Sequence, residues 1–90
     1  MNAATLYPPR APRQRTTLTA FTMRSGRLET SKHNTRDLSE GGACIDRGEH
    51  LRVGETVTVT IGQLIAIEAQ VRWVDAGFAG LQFANRVSLL

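Results

Sequence analysis

Val57, Val59 and Ile61 alternate with Thr58 and Thr60, the two-residue period of a strand with one face buried. Gly62-Gln63 follows with its glycine first, a tight hairpin signal. The return strand runs from Leu64 to Val74. It sets Ile65, Ile67, Ala69, Val71 and Trp73 on one face, against Glu68, Gln70 and Arg72 on the other. Trp73 then belongs to the core or the rim of the sheet, ahead of a role in stacking on a ligand.

The remaining chain reads as shorter strands punctuated by turns. Thr16 to Arg24 forms the first, with Leu18, Ala20 and Thr22 on one face and Phe21 and Met23 on the other. The pattern leaves open which face turns inward. Ser25-Gly26 makes a turn, and the polar segment Leu28 to Arg36 pairs back as the second strand. His33 within it reads as an exposed strand residue. Ala43 to Asp46 is a short third strand, in which Cys44 reads as a small buried hydrophobe. Arg47 to Gly54 forms a loop, and its His50 has no ligand at metal-binding spacing. Ala76-Gly77 turns the chain into Phe78 to Ala84, with Leu81 and Phe83 inward. Asn85 to Leu90 is a tail that forms a turn of helix or packs its leucines on one end of the sheet. Six short strands and no amphipathic helix predict an all-β domain. A sheet of this size removes its edges by closing, so the pattern predicts a small antiparallel β-barrel.

Ninety residues provide one domain with a modest core. The single cysteine excludes an internal disulfide, in keeping with a reducing compartment. Residues Met1 to Arg15 hold no apolar run of signal-peptide length, and Leu64 to Val71, interrupted by Glu68, is too short to span a bilayer. The expectation is a cytoplasmic protein without membrane insertion. Charge is distributed unevenly. Residues 1–36 carry seven lysines and arginines against one acid, Glu29, whereas residues 37–90 carry four against seven. That asymmetry points to an anionic partner met by the N-terminal third. Six of those seven cations are arginines, whose planar fork suits phosphate and guanine. Pro8, Pro9 and Pro12 favour an extended, flexible basic arm over residues 1–15, ahead of a barrel over 16–84 and a tail over 85–90. In a polyproline conformation Arg10 and Arg13 project on one side, roughly 9 Å apart at ~3.1 Å per residue.

Between the second and third strands lies RDLSEGGACI, Arg36 to Ile45. Its turn carries Asp37 and Ser39 two residues apart, then the pair Gly41-Gly42, which allows positive φ and close backbone approach. Taken alone, this is a hairpin turn whose side chains bond to local backbone. Yet the turn also fits the pattern Asp/Asn-x-Ser-x-x-Gly. With the basic run RAPRQR (Arg10 to Arg15) before the first strand and GLQF (Gly80 to Phe83) in the last, the chain resembles PilZ domains over roughly Arg10 to Ala84. PilZ domains are bacterial receptors for the messenger cyclic di-GMP. The resemblance implies a six-stranded antiparallel barrel of Greek-key kind and a ligand held between arm and barrel. It implies that Arg10 and Arg13, with Arg15 as a substitute, clamp guanine and phosphate. Asp37 would accept from a guanine edge, and Ser39 would donate to phosphate or order the turn. Gly41 and Gly42 would let the backbone approach closely. The chain departs from the family's Arg-x-x-x-Arg arm, because Pro9 stands four residues before Arg13 and Gln14 four after Arg10.

The expected function is therefore a cyclic di-GMP receptor that orders its arm on the ligand and signals to a protein partner. No other cofactor is expected. A degenerate PilZ domain that binds protein without nucleotide is the alternative, motivated by Pro9. A small nucleic-acid-binding barrel ranks behind both, since few aromatics are available for stacking. No paired carboxylates, activated nucleophile, phosphate loop or metal cluster points to an enzyme.

Overall fold

The computed structural model describes residues 14–89. Seven strands follow in order: β1 (Gln14–Arg15), β2 (Thr19–Arg24), β3 (Thr30–Ser39), β4 (Gly42–Ile45), β5 (Thr56–Ile61), β6 (Leu64–Asp75) and β7 (Phe78–Phe83). All pairings are antiparallel. Six of the strands close into a barrel. β3, β2, β5, β6, β7 and β4 pair in that sequence, and β4 pairs back onto β3. The order β4-β7-β6-β5 is a Greek key, with three hairpin-linked strands and a fourth lying beside the last of them. β1 is an extra strand on β3, and this fold is the all-β barrel that the strand pattern predicts. Among the described residues no helix is long and apolar enough to cross a membrane.

Alternation fills the interior. Val57, Val59 and Ile61 of β5 are buried, as are Ala43 and Ile45 of β4 and Ala79, Leu81 and Phe83 of β7. Each larger aliphatic side chain so removed from water contributes roughly 1.5–3 kcal/mol before entropy is counted. β2 resolves its open choice, since Ala20 and Thr22 face the core and Phe21 is exposed. Gly62 adopts φ 57° in the β5–β6 turn, as a glycine-first hairpin requires. In the tail, Val87 and Leu89 pack against the core without forming a helix.

Four expectations need correction. The second strand continues through Asp37, Leu38 and Ser39, so the connection to β4 shrinks to Glu40-Gly41. Neither Gly41 nor Gly42 has positive φ. Gly42 is needed for space instead, because a Cβ there would strike the Leu81 carbonyl of β7.

The face assigned to β6 also changes. Its register slips twice, where the three steps from Leu64 to Ile67 span two steps of β5 and where the two steps from Val71 to Trp73 span one step of β7. Each extra residue reverses the alternation beyond it. Ile67, Ala69 and Val71 face in, whereas Ile65 and Trp73 lie outside.

His33 is buried, not exposed. Its Nδ1 donates to the Asp46 carbonyl at 2.7 Å, which leaves Nε2 to accept from the Thr22 hydroxyl at 2.8 Å. His50 stacks on it with ring centroids 6.0 Å apart. Burial holds the His33 imidazole below its ordinary pKa, reinforced by the charge on His50 and Arg47 and opposed by the Asp46 hydrogen bond.

Candidate functional site

The stretch Thr35 to Ser39 carries the turn chemistry, and a bulge sets its orientation. Thr35 pairs with Ile45, but the next pair is Asp37 with Cys44, so Arg36 is the extra residue. Thr35 and Leu38 are buried on the core side, which leaves Arg36 and Asp37, consecutive in sequence, both on the outer surface. The Arg36 guanidinium lies over the Phe78 ring, 5.0 Å from its centroid.

Ladder pairing extends this position into a row. Arg15 of β1 is the register partner of Asp37, Asp37 of Cys44, Cys44 of Gly80, and Gly80 of Trp73. Cross-strand partners share a face, so Arg15, Asp37, Cys44, Gly80 and Trp73 all belong to the outer surface. Cys44 is buried as expected, but from the outside of the sheet, between Ala43 and Ile45 that face the core. One step along, Ser39, Gly42, Gln82 and Gln70 form a parallel row.

The first row crosses β4 and β7 on the small residues Cys44 and Gly80, and the second crosses them on Gly42 and Gln82. Gly42, Cys44 and Gly80 form the floor of a shallow trough, with β3 and β1 on one side and β6 on the other. The Trp73 indole bends over that floor, its pyrrole atoms sitting where a Gly80 side chain would be. The indole remains 44% exposed, so it offers an aromatic surface to solvent.

The turn itself is pinned from several directions. Ser39 Oγ accepts from Gly41 N–H at 3.2 Å and donates to the Gly42 carbonyl at 3.4 Å. Its hydroxyl therefore orders the turn. Phe83 N–H donates to the Gly41 carbonyl and Val87 N–H to the Glu40 carbonyl, both at 2.9 Å. Arg86 Nη2 meets Glu40 Oε1 at 2.9 Å.

Of the residues singled out in the sequence, Arg15, Asp37, Ser39, Gly41 and Gly42 come together at one end of this surface. Arg10 and Arg13 lie outside the described residues, although Arg13 directly precedes β1. Arg36 and Arg72 were not expected as site residues, and Trp73 only behind a core or rim role. The one signal for Arg72 and Trp73 was Val74, an apolar residue directly after Trp73 that breaks strict alternation.

The family model for the PilZ domain matches residues 9–89. The chain belongs to the PilZ family. Its PilZ match covers the barrel, the tail and the arginines at positions 10, 13 and 15. None of the curated proteins searched matches the chain. In this PilZ barrel the Asp-x-Ser-x-x-Gly pattern is a strand end and hairpin in which Asp37, Ser39 and Gly42 share the outer face.

Proposed function

We propose that this PilZ domain is a cyclic di-GMP receptor whose ligand lies in the trough over β4 and β7. The observation that carries this reading is the pairing of Arg15 with Asp37 across β1 and β3, on the same face as Ser39 and Gly42. It puts a cation beside an acceptor at the point where the basic arm joins the barrel. Cyclic di-GMP presents two singly charged phosphates and two guanines. Asp37 accepts from the N–H edge of one guanine, and the arginine forks meet phosphate or the guanine O6 and N7 acceptors. Trp73 adds a stacking surface for a base. Gly42 lets β4 and β7 lie close together beneath the ligand, and Gly80 lets the Trp73 indole lie down against the sheet.

Arg10 and Arg13 complete the site from the arm, closing over the ligand from the β1 side. Ordering of the arm changes the surface available to a protein partner, which converts binding into a signal. The test is calorimetric titration of the purified protein with cyclic di-GMP, with GTP as control. Low-micromolar binding that disappears in Asp37→Ala is the expected result. Absence of heat at high micromolar ligand would overturn the reading and favour a PilZ domain that engages protein without nucleotide.

A further inference from the structure

We infer that Arg72 is a ligand-contacting residue, the cation on the rim of the trough farthest from the arm; the inference rests on the cyclic di-GMP reading above. Two bulges flank the trough, and each is built around an arginine. Arg36 is the extra residue of β3 where it pairs with β4, and Arg72 is the extra residue of β6 where it pairs with β7. The residues after them, Asp37 and Trp73, occupy the two ends of a single row through Cys44 and Gly80. At ~4.8 Å per strand, the rims stand about 14 Å apart. Without its bulge, β6 would alternate Arg72 outward and Trp73 inward. With it, Arg72 and Trp73 stand side by side on the surface, an arginine next to an aromatic.

The local contacts of Arg72 do not explain it as a stabilising residue. Arg24 and Arg86 are held by Glu55 and Glu40, each at 2.9 Å. Among the described residues Arg72 meets no carboxylate, and its one hydrogen bond runs from Nη1 to Gln70 Oε1 at 3.3 Å. A guanidinium has five N–H donors, so four remain for an incoming anion. Gln70 Nε2 donates in turn to the Gly54 carbonyl at 3.3 Å, so this contact holds the guanidinium on the β6 rim with its other donors open to solvent. A dianionic ligand lying across β4 and β7 then meets arginine on both sides: Arg15 and Arg36 on one, Arg72 on the other.

The experiment compares cyclic di-GMP titrations of the wild type, Arg72→Ala and Arg72→Lys, with thermal melts of all three. Loss of one charge-assisted contact weakens binding about tenfold or more. Arg72→Ala is expected to show that loss with an unchanged melt, because the side chain is exposed. Arg72→Lys keeps charge and the packing of the stem but lacks the fork, so its affinity should fall between the two. A dissociation constant for both variants within about twofold of wild type overturns the inference and leaves the receptor reading intact. A wild-type protein that does not bind cyclic di-GMP overturns both.

Discussion

Arg15 and Asp37 face one another across the β1–β3 ladder, an exposed cation beside a half-buried acid. Neither supports the core, so replacing either should affect ligand more than fold. Arg15→Ala is expected to weaken cyclic di-GMP binding about tenfold, while the unfolding free energy moves by no more than about 0.5 kcal/mol. Paired titration and urea melts check both halves. An unfolding loss that accounts for the binding loss would return Arg15 to a structural role.

Trp73 is the only tryptophan, and its indole covers Gly80 beside Cys44. Its fluorescence should therefore report directly on the trough. Addition of cyclic di-GMP is expected to quench or shift the emission in a saturable way, and GTP is not. A spectrum indifferent to saturating ligand would put the binding face elsewhere on the barrel.

Gly42 and Gly80 are both crowded, by different obstacles. A Cβ on Gly42 meets backbone, the Leu81 carbonyl, whereas a Cβ on Gly80 meets the movable indole of Trp73. Gly42→Ala should cost about 1–3 kcal/mol as β4 and β7 are forced apart. Gly80→Ala should cost less and red-shift Trp73 emission as the ring is lifted into water. Urea unfolding with fluorescence detection distinguishes the two, and equal losses would contradict the difference in obstacles.

Acid should weaken the fold in two stages. His33 is held neutral by burial, so its folded pKa lies below the ordinary value near 6.5. The unfolded chain takes up that proton first, so stability is highest above about pH 6.5 and declines as pH falls toward the folded value. Glu55 contributes a later stage. Burial tends to raise its pKa, but hydrogen bonds from Arg52 N–H and Arg24, with the charge of Arg24, lower it on balance. Its contribution is present above the ordinary carboxylate value near 4.5 and is lost as pH falls below it. Melts from pH 8 to pH 4 should show the first decline in wild type and its absence in His33→Gln, compared by slope because the variant starts lower.

Much of this architecture was legible because strand alternation is local. Val57, Val59 and Ile61 needed only their threonine neighbours to declare a buried face, and Gly62 needed only its place after them. Bulges broke the same logic in β6, since one inserted residue reverses every side chain beyond it and carries no composition of its own. Trp73 and Ile65 moved outside for that reason. His33 misled because Lys32 and Asn34 flank it, while the groups that satisfy its ring come from β2 and from beyond β4. For the candidate site, the near side could be read from the spacing of Asp37, Ser39 and Gly42. The far side comes from β6 and reaches β3 only through two intervening strands.

The paired bulges have a consequence for how such a surface can diverge. Removing Arg36 or Arg72 would shorten a strand by the one residue its neighbour does not match, leaving inward positions on either side in place. Single-codon insertions and deletions at these two points can thus add or erase a positive charge with little disturbance to the interior. The charge of the outer face and the identity of the core become separately heritable traits.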